Sequence, residues 1–394
     1  MDIFLKPDWA NGVQESFEFL TTIFTTDSGK EQRSAERTYA RRSISFEALL
    51  HADALRDLRA DLHERSDFLS YIPEPVHRLS TVAVYEPAGS TSIQFADVVS
   101  SAHLGKRVCI MGGKRNFFAT IAGITGSTVT FSAPIEREAV VGDDLRLCVE
   151  GRMPTSVSVK YVTDDIAYFN AGFNQNPGTP NINYDTSAFP TFRGREVFNE
   201  KPNWANPPSV EIVSEYDVTD FKRGVIRTYS PIDFISRVTQ FTFLGRSTAK
   251  MNRLIDFFQR QLGRCGEFWC PSWTSDLRLV QPITNGSNYI VVAGRKVADY
   301  YAGSTVEKAV AIRRSNNAWL YRYITGITTD GTNSTITFDT AFTFDVDLEA
   351  VVGLYWLNVC RFATDTMTVQ WITDEVAQTV FQITTLEALP AEAA

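Results

Sequence analysis

Lys6-Pro7-Asp8-Trp9-Ala10-Asn11 returns at Lys201-Pro202-Asn203-Trp204-Ala205-Asn206 with a single change. One echo of this length arises by chance, so its weight rests on further matches in the same order. Ile121-Ala122-Gly123-Ile124-Thr125 returns as Ile324-Thr325-Gly326-Ile327-Thr328, each ahead of a short apolar stretch ending at Phe131 or Phe338. Glu138-Ala139-Val140-Val141-Gly142 returns letter for letter as Glu349-Ala350-Val351-Val352-Gly353. Val157-Ser158-Val159-Lys160-Tyr161-Val162-Thr163-Asp164-Asp165 is matched by Met367-Thr368-Val369-Gln370-Trp371-Ile372-Thr373-Asp374-Glu375. The separation grows from 195 to about 211 residues along the chain, as it does when insertions fall in loops. The chain reads as a tandem duplication of one unit.

Within each copy the apolar period changes from strand to helix and back. Arg42-Ser43-Ile44-Ser45-Phe46 and Thr239-Gln240-Phe241-Thr242-Phe243 alternate polar and apolar residues, the period of a half-buried strand. Leu55, Leu58 and Leu62 then mark a helical stripe in the first copy, and Met251, Leu254, Ile255, Phe258 and Leu262 a cleaner one in the second. Asp53 and Ser247 or Thr248 are the expected N-caps, and Gly263 the expected stop. A Phe follows each helix (Phe68, Phe268), and ten residues later an Arg-Leu pair, Arg78-Leu79 and Arg278-Leu279.

These patterns predict a mainly β fold, a doubled β-sandwich with one helix per copy. The short strands and Gly-rich turns of about 81–149 and 280–360 read as a small β-barrel inserted in each copy. The expected units are a first module over 1–170, a linker over 171–197 and a second module over 198–394. Asn170 to Ser209 is rich in Asn, Pro and Gly and reads as an extended connection running over the surface. A length of 394 residues suits two such units, and the abundance of Phe, Tyr, Thr and Val suits pleated surfaces.

A net charge of −8 and a pI near 5.2 argue against holding a nucleic-acid backbone by bulk electrostatics. Arg41-Arg42 and Arg313-Arg314 are expected to be solvated or paired between subunits. Five cysteines, Cys109, Cys148, Cys265, Cys270 and Cys360, are an odd and sparse set for a disulfide framework, so free thiols are expected. Met1 to Pro7 lacks a basic region followed by an apolar run, and no stretch of 18 apolar residues occurs. The expectation is a soluble chain without signal peptide or membrane span.

A search for chemistry returns structural readings. His51, His63, His77 and His103 all lie in the first copy without counterparts in the second. His51 and His63 stand about 120° apart on a helix, and all four are expected to be surface or cap residues. Cys265 and Cys270 have no further ligands nearby for zinc. Gly112-Gly113-Lys114-Arg115 lacks the Ser/Thr and upstream Gly of a phosphate loop and reads as a hairpin turn. The recurring acidic pairs Asp164-Asp165 and Asp374-Glu375 offer paired carboxylates, for Ca²⁺ or acid–base work. Their place at a strand end favours a turn made by the Asp side chain bonding its own backbone. Trp9, Trp204 and the Tyr161/Trp371 pair read as packing anchors, whereas Trp269, Trp273, Trp319 and Trp356 stay open to a role in partner contact. No catalytic, cofactor-binding or metal site is expected, and no cofactor.

The Pro-x-Trp opening, a basic turn expected before the first strand pair (Gly29-Lys30-Glu31-Gln32-Arg33 and Phe221-Lys222-Arg223-Gly224) and a strand–helix unit with an inserted barrel make a familiar order. It resembles the distal-tail and tail-tip (baseplate) proteins of long-tailed, non-contractile bacteriophages and gene transfer agents, most clearly over 1–70 and 198–263. The resemblance implies a non-enzymatic virion protein with a tail-tube-like sandwich, assembled in the host cytoplasm into a ring at the tail tip. Its implied partners are itself, the tail tube protein and hub or fibre proteins, with neither membrane nor sequence-specific nucleic acid. A typical ring domain of that family occurs once per chain, and here it is doubled. Two modules per chain let three subunits form a pseudo-sixfold ring through heterologous contacts, so a trimer is expected over a hexamer. The alternative is a tail adhesin or a carbohydrate- or protein-binding module.

Overall fold

The computed structural model describes residues 3–26, 28–63, 69–112, 116–176, 189–214, 216–230 and 234–388. Alternation sets the first element, β1 (Val13–Glu18), in which Val13, Glu15 and Phe17 point inward and are buried. A hairpin of β2 (Thr21–Thr25) and β3 (Glu31–Ala35) follows, then the long β4 (Arg41–His51), which runs directly into α1 (Ala52–His63). Next come β5 (Leu69–Pro73), β6 (Ser80–Thr81), β7 (Ser92–Gln94), β8 (Arg107–Met111), β9 (Phe117–Thr125), β10 (Thr128–Phe131) and β11 (Asp144–Arg152). The half closes with the hairpin β12 (Ser158–Tyr161) and β13 (Ile166–Gln175).

After the short β14 (Thr191–Phe192) and β15 (Arg195–Glu196), the second half opens with β16 (Ser209–Val213). A hairpin of β17 (Asp217–Thr219) and β18 (Arg227–Tyr229), then β19 (Ser236–Gly245), α2 (Thr248–Arg260) and β20 (Phe268–Pro271) come after it. β21 (Tyr289–Ala293), the short α3 (Lys296–Tyr301), β22 (Ala309–Arg314), β23 (Trp319–Thr329), β24 (Asn333–Phe338) and β25 (Val351–Phe362) precede the closing hairpin β26 (Thr366–Trp371) and β27 (Ala377–Thr385).

The fold is mainly β with a large antiparallel sheet. In the first half β1 pairs with β4, β4 with β13, and β13 with β12. In the second, β16 pairs with β19, β19 with β27, and β27 with β26. The same holds further on: β11 takes β5, β8 and the end of β13, as β25 takes β20, β22 and the end of β27. The ladders β8–β9–β10–β7 and β22–β23–β24–β21 also correspond. Among the described residues one ladder joins the halves: β1 lies antiparallel to β26, with Val13 opposite Trp371 and Glu18 opposite Thr366. The resulting strand order is β16-β19-β27-β26-β1-β4-β13-β12.

Because of that junction the halves share one hydrophobic core, from Ile3 and Phe17 through Phe169 to Met251, Trp371 and Ile383. Separate smaller cores lie within Val82–Leu145 and Leu277–Trp356. α2 contributes Met251, Leu254, Ile255, Phe257 and Phe258, all fully buried, each stabilising by about 1.5–3 kcal/mol. Ser247 caps this helix by accepting from the Lys250 N–H, and Gly263 past its end has a φ of +66°.

Three expectations change. Asp53 is not the cap of α1; it lies inside the first turn, ion-paired to Arg56 at 2.9 Å, because β4 enters the helix without a loop. Residues 170–175 belong to β13, where Ala171 and Phe173 are buried against β4. The rest of the expected surface linker is part surface and part core where it is described: Phe189, Val197 and Phe198 are buried, whereas Trp204 to Pro207 are exposed. Phe198 packs against Phe257 at 4.7 Å, Phe243 at 5.4 Å and Phe381 at 5.8 Å. Isolated apolar residues among Asn and Pro carry no period, so their burial leaves no sequence signal. Residues 177–188 and Phe68 lie outside the described residues. Among the described residues no helix is long and apolar enough to cross a membrane.

Candidate functional site

The junction between the halves holds a buried polar network. Glu15 sits on the inward face of β1 between Val13 and Phe17, a position that alternation reserves for apolar groups. Arg42 holds an inward position on β4, opposite Phe17. Its guanidinium donates to Glu74 Oε2 at 2.9 Å and Oε1 at 2.7 Å, and also to Glu15. Trp371 Nε1, from the second half, donates to the other Glu15 oxygen at 3.0 Å. His77 meets the Trp371 ring edge-on, centroids 5.5 Å apart.

Glu15, Arg42 and Glu74 are at most 2% exposed, so charge here persists only because it is paired. Burial works against ionisation of Glu15, and the Arg42 guanidinium beside it more than offsets this, holding the carboxyl below its ordinary range. Burial lowers the His77 imidazole, which therefore stays neutral near pH 7. Ligand atoms of Glu15, Glu74 and His77 lie within 4.8 Å of one another, close enough to suggest a cation site. The donor set speaks for a pin instead: Arg42 already engages both carboxylates, and a metal ion would have to displace a buried guanidinium.

Two sequence expectations fail here. His77 is neither surface nor cap, and Arg42 is not solvated. A signal existed in the inward register of Glu15 and Arg42, since a charge on the buried face of a strand requires a partner. Nothing local indicates that the partner includes a Trp 356 positions away.

Beside the junction, the β2–β3 hairpin clasps the second half. Arg361 at the end of β25 donates twice to Glu31, at 2.7 Å to each oxygen, and Arg33 pairs with Glu267. Asp365 accepts from the Thr21 amide at 2.9 Å and its hydroxyl at 2.8 Å. Burial opposes ionisation of Glu31, and the Arg361 bonds outweigh it and lower its pKa. The basic turn Gly29–Arg33 thus starts at a hairpin tip and ends in an inter-half contact.

The second half has the same elements without a cover. Among the described residues β16 pairs only with β19, and its Val210 and Ile212 are 49% and 65% exposed. Both residues line a hollow of about 260 Å³ that also touches Phe241, Trp356 and Ile383. The β17–β18 hairpin is exposed throughout, with Val218, Phe221, Val225 and Tyr229 in solvent. At the other end of the sheet β12 pairs only with β13 among the described residues, and Tyr161 and Val162 are exposed. Unpaired strand edges with apolar side chains are templates for pairing with another strand.

The other predicted residues are scattered. Asp164-Asp165 and Asp374-Glu375 lie in exposed turns, as expected, yet the bonding is done by the preceding threonines. Thr163 Oγ1 accepts from the Asp165 amide at 3.3 Å, and Thr373 Oγ1 from those of Glu375 at 3.2 Å and Val376 at 3.0 Å. His51 ends β4 and His63 ends α1, and both are exposed. His103 ends a 3-10 turn, where burial lowers its pKa. All five cysteines are free thiols, and burial pushes the Cys360 thiol, beside Cys270, well up. Gly112 lies between β8 and β9, an antiparallel pair as a hairpin requires; residues 113–115 lie outside the described residues.

Trp269, Trp273 and Trp356 are at most 4% exposed, and Trp319 packs on Trp273 and Tyr321. They are packing residues rather than a partner-contact surface. Among the recurring aromatics, by contrast, Trp371 is buried while Trp204 and Tyr161 are 48% and 47% exposed. The expectation of a packing anchor therefore fails at the two positions that flank the open edges. No model of a known protein family matches the chain, and no curated protein matches it.

Proposed function

We propose that this chain is a structural ring-former of a phage tail tip, a doubled module that joins the tail tube to a threefold hub and receptor-binding parts. The observation that carries the reading is the matching order of strand partners in the two halves, together with the edge-to-edge ladder of β1 and β26 that joins them. Each half is read as one copy: a sandwich with one helix, into which a small barrel with its own core is inserted. The sequence repeats fall at corresponding places in the strand order, and that supports duplication over chance.

A module that uses one edge to hold its neighbour within the chain has the same kind of edge left at each end of the chain. Heterologous contacts of this type close into rings when the rotation allows. Three chains of two modules give pseudo-sixfold contacts on one face and threefold contacts on the other. The tail location rests on the resemblance of 1–70 and 198–263 to distal-tail proteins. The burial of Trp269, Trp273 and Trp356 takes these unmatched tryptophans out of the adhesin reading. Light scattering of the purified protein, with negative-stain images of the same fractions, tests ring formation; three chains per ring are expected, and six would overturn the trimer. Labelling the chain in virions tests the location, and signal away from the tail tip would overturn it.

A further inference from the structure

We infer that β16 of one chain pairs antiparallel with β12 of a second copy, in the register in which β1 pairs with β26 inside the chain. The inference rests on the reading of the halves as equivalent modules and names the strands and residues of their contact. Two matches fix the register. Lys6–Asn11 and Lys201–Asn206 stand 195 residues apart, which places Gln14–Glu18 on Ser209–Val213. Asp164-Asp165 and Asp374-Glu375 stand 210 apart, which places Val157–Tyr161 on Met367–Trp371. The ladders agree with both shifts: Gln14 lies opposite Ser45 as Ser209 lies opposite Gln240, and Tyr161 opposite Ala167 as Trp371 opposite Ala377.

Carrying the internal ladder over, Glu15 opposite Val369 becomes Val210 opposite Val159, and Phe17 opposite Met367 becomes Ile212 opposite Val157. Inside the chain those four inward residues are all 0% exposed. Val210 and Ile212 at the open edge are about half exposed or more above their hollow, while Val157 and Val159 are partly buried against the core of their own half. Seating β12 beside β16 continues one inward apolar row across the boundary, as β26 does for β1. On the outer face Glu211 falls opposite Ser158 and diagonal to Lys160, within reach of an ion pair. Where the internal junction is pinned by Glu15, Arg42 and Trp371, the external one has Val210, Arg237 and Tyr161, and Arg237 is already paired with Glu307 at 2.7 Å. The row carried across the boundary is therefore apolar, without the buried ion pair to Glu15 that pins the internal one.

The test is disulfide trapping in the full-length chain. Glu211→Cys with Ser158→Cys places one thiol on the outer face of each edge, at opposite ends of the sheet, so a bond forms only between chains. Mild oxidation is expected to give covalent multimers on non-reducing gels. Either single variant, the unsubstituted chain with its own five cysteines, and the off-register pair Glu211→Cys with Val162→Cys are expected to give several-fold less. Monomer alone from the matched pair, or equal trapping off register, overturns the inference. As a second measurement, Val210→Lys points a charge into the row and is expected to abolish self-association with an unchanged thermal midpoint; undiminished association overturns it. Rings that form without matched-pair trapping sink the edge register and leave the ring reading standing. Matched trapping into open ladders that never close does the reverse.

Discussion

Glu31 and Arg361 lie 330 residues apart in sequence and form a two-bond ion pair, 2.7 Å at each oxygen, across the seam between the halves. The side chains are 15% and 8% exposed, so water screens the pair weakly. Removing either partner is predicted to destabilise the chain by about 1–3 kcal/mol. A double-mutant cycle of Glu31→Gln and Arg361→Met in urea should show a coupling energy above ~0.5 kcal/mol. Additive effects would mean that the clasp holds by shape alone.

Stability is predicted to fall in two stages on acidification. His77 has a folded pKa below its ordinary 6.5. Below that pH the unfolded chain takes up a proton that the folded chain refuses, and stability drops as pH falls. Glu15 and Glu31 also have folded pKa values below the ordinary 4.5. Their contribution is complete above 4.5 and is lost as pH falls through the folded values. Denaturant midpoints from pH 8 to 3 check this, and His77→Gln should shrink the upper stage to what His103 contributes while keeping the lower.

Gly12 has a φ of +69°, and a Cβ there would strike the Trp371 carbonyl oxygen. Gly12→Ala is predicted to cost at least ~1–2 kcal/mol from the left-handed backbone, with a further penalty where β1 is forced away from β26. Thermal unfolding checks the magnitude. Faster hydrogen exchange at β1 and β26 than in the smaller Val82–Leu145 core would place the damage at the junction.

Phe198 is fully buried among Phe189, Phe243, Phe257, Phe268 and Phe381. Phe198→Ala is predicted to cost about 3–5 kcal/mol. A loss below ~1 kcal/mol in urea unfolding would return this segment to the surface-linker reading.

The closing turns separate the two explanations of the recurring acids. Thr373→Val removes an oxygen that accepts two backbone bonds and should cost about 0.5–1.5 kcal/mol. Asp374→Asn is expected to stay within ~0.5 kcal/mol, as for most exposed substitutions. The reverse ranking in chemical denaturation would restore the acids as the turn-makers.

Residue order was enough to establish the β character, the α2 stripe from Met251 to Phe258 with its Ser247 cap, and the closing hairpins around Asp164-Asp165 and Asp374-Glu375. These are local properties: period, capping and turn chemistry act between residues a few positions apart and leave their mark in order. The same order exhibits the repeated motifs that support the doubled-module reading. It took the folded chain to establish that β1 is covered by β26, that Glu15, Arg42, Glu74 and His77 form one buried network, and that Phe198 fills the core from a segment without pattern. Each of these depends on which distant strand comes to lie alongside. A buried charge announces that it needs a partner, and only the folded sheet supplies the name. The same holds for Trp371 and Tyr161, equivalent in sequence pattern: one is buried and the other half exposed, because β26 lies between β27 and β1 whereas β12, among the described residues, pairs with β13 alone.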